Sequence, residues 1–231
     1  MPSHTPLSRT RVLSGAVGAA LAALFALAPP AAAAPASVAR STGVRSGTGW
    51  LDVRVGLTFG DSLTLGDQIR VTNSRGPAEI FGIGATYRTS RLDIGVLLEG
   101  IGSFYFEGVS RDNRTGSQFR LAANVRWRYI DEPWGALFLR LSPGLMAFDH
   151  SDELRFQAAN LFGKGFDEAD RNGVGFSLGF DFGILLYLSR AVAISIHLDV
   201  VTGTTTMDVG KDSIDIGITR GLFTAGLEWR M

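Results

Sequence analysis

The sequence predicts an all-β chain, an up-and-down antiparallel transmembrane β-barrel of about eight strands preceded by a cleaved signal peptide. Three observations predict it. Residues 1–36 have the layout of an export signal. The remainder divides into eight segments that alternate with period two, with charge confined to one face. The gaps between those segments alternate long and short.

The export signal comes first. Arg9 and Arg11 precede an almost unbroken apolar run from Val12 to Ala28, which Pro29 and Pro30 end before a string of small residues. Proline at the first mature position obstructs processing, so Ala34-Pro35-Ala36 or Ser37-Val38-Ala39 suits a cleavage site, and the cut is expected between residues 33 and 39. The two arginines are not adjacent, which does not suit a twin-arginine route, and no cysteine follows for a lipid anchor. The barrel domain is expected over residues 48–231.

Composition removes several classes. The chain has no cysteine, so no disulfide framework supports the exported part. Taking Arg9 and Arg11 from 22 basic against 22 acidic residues leaves a formal charge of −2, which offers nucleic acid nothing. No later apolar run is long enough for a membrane helix. Arginine far outnumbers lysine, which suits fixed pairing with carboxylates.

The segments follow in order. "WLDVRVGLTF" sets Leu51, Val53, Val55, Leu57 and Phe59 against Asp52, Arg54 and Thr58. "FGIGATYR" sets Phe81, Ile83, Ala85 and Tyr87 against Gly82, Gly84, Thr86 and Arg88. "LDIGVLLEGIGSFYF" places Leu92, Ile94, Val96, Leu98, Phe104 and Phe106 opposite Asp93, Glu99 and Ser103. "QFRLAANVRWRY" places Phe119, Leu121, Ala123, Val125, Trp127 and Tyr129 opposite Arg120, Asn124, Arg126 and Arg128. "ALFLRLSPGLMAF" turns Leu137, Leu139, Leu141 and Leu145 away from Arg140 and Ser142, with Pro143 expected to mark a bulge or the upper rim. "VGFSLGFDFGILL" turns Phe176, Phe180 and Phe182 away from Asp181. "VAISIHLDV" turns Val192, Ile194, Ile196 and Leu198 away from Ser195, His197 and Asp199. The last segment turns Phe223, Ala225, Leu227 and Trp229 away from Thr224, Gly226, Glu228 and Arg230.

No apolar face carries a charge, and the charges gather on the opposite faces at Asp52, Arg54, Arg88, Asp93, Glu99, Arg120, Arg126, Arg128, Arg140, Asp181, Asp199 and Glu228. A soluble, lipocalin-like barrel would send that charged face to water and the apolar face inward. In lipid the faces exchange. The long gaps, 60–78, 107–117, 149–173 and 202 to about 221, then read as four extracellular loops, and the short ones as periplasmic turns with both termini periplasmic. Aromatic residues near segment ends, Trp50, Phe59, Tyr87, Phe104, Tyr105, Phe106, Trp127, Tyr129, Trp134, Phe148, Tyr187 and Trp229, are expected at the two membrane interfaces.

On this pattern the chain resembles the small eight-stranded outer-membrane β-barrels of the OmpA, OmpX and OmpW type. The resemblance implies location in the outer membrane of a Gram-negative bacterium. It also implies a C-terminal signal read by the outer-membrane insertion machinery, whose places are taken here by Thr224, Gly226, Trp229 and Met231, with methionine where phenylalanine is usual.

An eight-stranded barrel is filled by its own side chains, so the inward charges are expected to pair as a lumen ion-pair network. Inward glycines at 82, 84, 95, 175, 179 and 183 leave room for arginine or for a narrow path. The expected role is therefore structural or surface-interactive, with outer-membrane lipid around the barrel. An extracellular ligand of unknown identity would be met through loops 61–78 and 149–173.

Two other readings stand beside it. One is a narrow channel or porin for small or apolar solutes. The other is a lipid A-modifying enzyme, since Ser195, His197 and Asp199 share one strand face and offer nucleophile, base and acid. Lipid A deacylases of the PagL kind also carry a His and a Ser two apart on a strand, but here the order is reversed and the face is inward. No metal site or cofactor is expected. His150 with Asp149, Asp152 and Glu153, and the run Asp167, Glu168, Asp170 and Asn172, have no recognised ligand spacing. "GIGAT" lies within a strand, not at a nucleotide-binding turn, and the "NRT" sequon at Asn113 has little meaning in such a compartment.

Overall fold

The computed structural model describes residues 47–66, 69–72, 78–102 and 117–231, with the side chains of Asp61 and 69–72 left out. The export signal over 1–36, its cleavage between 33 and 39, Ser103, the aromatic residues 104–106, Asn113 and parts of the first two loops lie outside the described residues.

Alternation dictates strands, and strands are what form: β1 (Thr48–Leu65), β2 (Ile69–Thr72), β3 (Glu79–Arg88), β4 (Leu92–Ile101), β5 (Gln118–Glu132), β6 (Gly135–Asp149), β7 (Asn172–Tyr187), β8 (Val192–Val209) and β9 (Asp212–Arg230). Among the described residues one α-helix, α1 (Asp152–Leu161), and a short 3-10 helix, Phe166–Glu168, interrupt them. β1 pairs antiparallel with β3, each later strand pairs with the next, and β9 returns to β1, so all but β2 close into a ring of eight. Closure satisfies every edge, which lipid requires. The short β2 adds only to the upper end of β1.

Outside the ring, Val96, Leu98, Phe119, Leu121, Val174, Phe176, Phe180, Leu198 and Val200 are exposed. Inside it, Arg54, Arg88, Asp93, Glu99, Arg120, Arg126, Arg140, Asp181 and Glu228 are buried. This polarity is the reverse of a soluble barrel and is that of a transmembrane one.

Past the apolar band, at the end away from Thr48 and Arg230, the polarity reverses. The segment 202–221, expected as a loop, is strand: β8 and β9 continue as a ribbon to a two-residue turn, with Val209 paired to Asp212. Gly210 takes φ +66° at the first turn position, as a type II′ hairpin needs. Along this ribbon Thr202, Thr204, Thr206 and Asp208 face out, while Val201, Met207, Val209, Ile216 and Ile218 face in.

In β1 the register shifts between Phe59 and Ser62. A one-residue bulge moves every later side chain to the other face, which turns Leu63 and Leu65 inward. Pro143 marks neither a bulge nor a rim. It lies in the middle of β6, exposed and paired in register with Leu178, and its missing N–H is accommodated where the β5–β6 ladder has a gap. The β5–β6 irregularity falls instead between Arg128 and Ile130.

The third loop holds α1. Ser151 caps it by accepting from Leu154 N at 3.3 Å, and Asp152 and Glu153 complement the dipole at its first turn. Its buried face, Leu154, Ala158 and Ala159, joins Leu63, Leu65, Met146, Phe148, Met207, Val209, Ile216 and Ile218 in one apolar cluster. Asp170 N donates to Asp208 O and Gly210 N to Glu168 O, tying the segment after α1 to the ribbon tip.

Candidate functional site: the lumen and its closure

The lumen begins at the end carrying Thr48 and Arg230. Ala136, Phe138 and Leu185 form a small apolar layer with Tyr187 against it. Trp50 and Phe148, expected at the membrane interfaces, are both inside. Trp50 shares the inward phase of Asp52 and Arg54 and lies under the Arg88 guanidinium, 4.1 Å from ring centroid to Cζ. Phe148 shares the phase of Arg140 and belongs to the apolar cluster at the other end. Tyr87 near the end of β3, Trp127 opposite the first residue of β4, Trp134 in the β5–β6 turn and Phe59 at the register shift of β1 are exposed, as interfacial aromatics are.

Above that layer the charged residues meet across strand pairs. Arg88 stands directly opposite Asp93, Asp93 opposite Arg126, Glu99 opposite Arg120 and Arg140 opposite Asp181. Asp93 takes the Nε atoms of Arg88 at 3.4 Å, Arg126 at 3.0 Å and Arg128 at 3.2 Å. Glu228 takes Arg88 Nη2 at 3.0 Å and both terminal nitrogens of Arg126. Glu99 bridges Arg54 Nη2 at 3.1 Å and Arg120 Nη1 at 2.7 Å. Arg140 Nη2 holds Asp181 at 2.7 Å and Asp199 at 3.1 Å. Gly179 makes space for this: a Cβ there would lie 2.4 Å from Ser142 Oγ and 2.7 Å from Arg120 Nη2.

Next come Ala78, Ile80, Ile101, Val201 and Leu222, a second apolar layer. Arg220, which the sequence reading passed over as loop, is buried nearby and donates to Gln118. The α1 cluster closes the end. Among the described residues, charged and apolar layers therefore stand in series along the lumen.

Ser195, His197 and Asp199 are all buried in that lumen. They do not act on one another as a relay along β8. The His197 ring bonds through Nδ1 to Asp181 Oδ2 of β7 at 2.7 Å, and Phe138 packs edge-on at 5.3 Å. Asp199 is engaged by Arg140, and Ser195 Oγ has no hydrogen-bond partner.

The structure also joins residues that the sequence kept apart. Asp52, His197 and Glu228, from β1, β8 and β9, place one ligand atom each within 4.8 Å of one another, all buried. Residue spacing gave no signal for this group, because only closure of β1 onto β9 brings it together.

At the C-terminus, Thr224 and Glu228 face inward, Trp229 is half-buried, and Met231 is exposed with its N–H on Gly49 O at 2.9 Å. His150, just beyond β6, is buried. Its Nδ1 lies 3.0 Å from Asp170 O, and burial lowers its pKa from the ordinary 6.5.

No protein-family model matches the chain, and no curated protein matches it. Solved structures do. Neisserial surface protein A is 12% identical, with a TM-score of 0.50, over 79% of this chain and 97% of that one. The outer membrane protein OprG from Pseudomonas aeruginosa is 11% identical, with a TM-score of 0.48, over 82% and 98%. Outer membrane protein AlkL is 11% identical, with a TM-score of 0.46, over 80% and 91%. The chain has the fold of the small eight-stranded outer-membrane barrels.

Proposed function

We propose that this protein is a closed outer-membrane barrel whose work is done at its loop end, a rigid body that displays a crown to the cell exterior. The observation that carries the reading is the closure of the lumen in series, by buried ion pairs and then by α1 against the inner faces of β1, β6, β8 and β9. Ions crossing it would have to displace paired charges and then a dry apolar layer. Each step costs several kcal/mol.

The termini then lie in the periplasm. Segments 61–78 and 149–173, with the ribbon tip at Gly210 and Lys211, meet the surroundings. On this reading the outward face of α1, where Phe156 and Leu161 are exposed, is available to a partner. The residues Thr224, Gly226, Trp229 and Met231 serve assembly as the closing strand offered to the insertion machinery.

Planar-bilayer recording of the purified protein tests this. The expected record stays at the leak level across moderate voltages. A steady ohmic current, or flux of apolar solutes into barrel-containing vesicles above that of empty ones, would instead support the narrow-channel reading.

A further inference from the structure

The seam where the ring closes carries a second feature, independent of the loop-end role. Asp52 and Glu228 are direct cross-strand partners on β1 and β9, both pointing into the lumen. Like charges placed so repel one another and destabilise a sheet. The two other like-charged cross-strand pairs of the lumen among the described residues have evident relief. Asp181 and Asp199 share Arg140, while Arg126 and Arg140 each bind carboxylates. At the seam, Glu228 is held by Arg88 and Arg126. Asp52 is not so provided. Its nearest cation, Arg54 Nε, lies at 4.0 Å, Arg54 Nη2 lies 3.1 Å from Glu99 Oε1, and Asp52 Oδ1 has no hydrogen-bond partner.

His197 completes the cluster. A carboxylate only accepts, so the 2.7 Å contact with Asp181 Oδ2 fixes a proton on Nδ1. In the neutral ring Nε2 is then a bare lone pair. It is buried and without a partner, on a ring that is grouped with two carboxylates. A lone pair beside anions calls for a cation. The series carboxylate, imidazole, open nitrogen is the arrangement that orients histidine toward a metal. Atoms spaced within 4.8 Å of one another surround a point that a metal bonded at about 2.0–2.2 Å can occupy with small side-chain adjustments. Ser195 Oγ and Thr224 Oγ1 are buried and without partners; Thr224 is the cross-strand neighbour of His197. They would hold the water that fills a fourth position.

We propose that Asp52, His197 and Glu228 bind one divalent transition-metal ion, with zinc(II) suited to this nitrogen and carboxylate set, and that the ion staples the first strand of the barrel to the last two. Such a site is assembled only in the closed ring, so binding and closure are linked.

The test uses the full-length exported protein, extracted from membranes in detergent and also refolded with zinc chloride after chelation. Elemental analysis after removal of free metal is expected to give about one zinc per chain. His197→Gln and Asp52→Asn are expected to lose it, and His150→Gln, which alters the other histidine of the described residues, to keep it. Zinc is also expected to raise the temperature at which the folded gel band converts to the unfolded one, in wild type and His150→Gln but not in Asp52→Asn. Less than about a tenth of an equivalent in the wild-type protein after both preparations overturns the proposal, whether or not the variants fold. Zinc retained in full by folded His197→Gln overturns it as well.

Discussion

Glu99 is the sharpest point at which to disturb the lumen. Its carboxylate serves two guanidinium groups from different strands, Arg54 at 3.1 Å and Arg120 at 2.7 Å, and all three side chains are buried. Glu99→Gln preserves shape and removes the charge. One amide oxygen can still accept, but the new NH2 group faces a cation, so at least one buried guanidinium is left uncompensated. Breaking one buried pair by removing a partner costs about 3–5 kcal/mol, a loss of two to more than three orders of magnitude in the folded-to-unfolded ratio at about 1.4 kcal/mol per tenfold. Guanidinium unfolding in lipid vesicles, followed by the fluorescence of the four tryptophans, reads this as a lower midpoint with unchanged slope. Arg120→Met alone should also destabilise. The double variant should lose less than the sum of the two, by roughly 0.5–3 kcal/mol, because the residues contact one another. A Glu99→Gln cost below about 1 kcal/mol, or strict additivity, would show that the lumen is wet and screened and not a dry ionic core.

Three further outcomes follow from other parts of the molecule. Val96→Arg, in the outward apolar band of β4, should lower folding free energy in vesicles by about 2–4 kcal/mol, whereas Thr204→Arg, outward on the ribbon, should change it by about 0–1 kcal/mol; equal costs would misplace the membrane boundary. Gly179→Ala puts a Cβ against Ser142 Oγ and Arg120 Nη2 and should cost about 1–3 kcal/mol by the same unfolding assay, a neutral result meaning that Arg120 rests elsewhere. Burial lowers the His150 pKa below 6.5, against the opposing Asp170 carbonyl contact, so the unfolded state binds the proton more readily than the folded one. Its stabilising contribution is therefore fully present above pH about 6.5 and is lost as pH falls through that value toward the lower folded pKa. The protection factors of the α1 amides, that is, exchange corrected for its intrinsic pH dependence, should fall below pH 6.5 in the wild type and lose that fall in His150→Gln.

Much of the ring was legible because lipid imposes a strict rule on outward positions. From Leu51 to Phe59 and from Val192 to Val200 the apolar phase needs no tertiary information. What escaped lies where that rule lapses. Above the bilayer the outside faces water, so the phase that marks lipid contact in Val192–Val200 reverses across Thr202–Val209. A reading tuned to apolar-outward residues stops there and leaves a loop. The bulge between Phe59 and Ser62 hid the upper part of β1 in the same way. Helix α1 did leave a local signal, Ser151 capping Asp152 and Glu153 with Leu154 and Ala158 one turn apart, but it was short and lay inside a segment read as loop. Position near a strand end suggests the interface for Trp50 and Phe148, whereas their phase, shared with Asp52 and Arg140, places them inside. The grouping of Asp52 with Glu228 and His197 depends on which strand closes against which, and on register, information that no window of sequence contains.

The most direct measurement of the account is a scan of single spin-labelled cysteines, in a chain that has none of its own, along the outward positions of β8 at 192, 194, 196, 198, 200, 202, 204, 206 and 208 in lipid vesicles. Labels from Val192 to Val200 are predicted to collide with dissolved oxygen in preference to a water-soluble nickel chelate, greatest near Ile196, with the order reversing from Thr202 onward. Preferential collision with the chelate throughout Val192–Val200 would contradict the inside-out barrel.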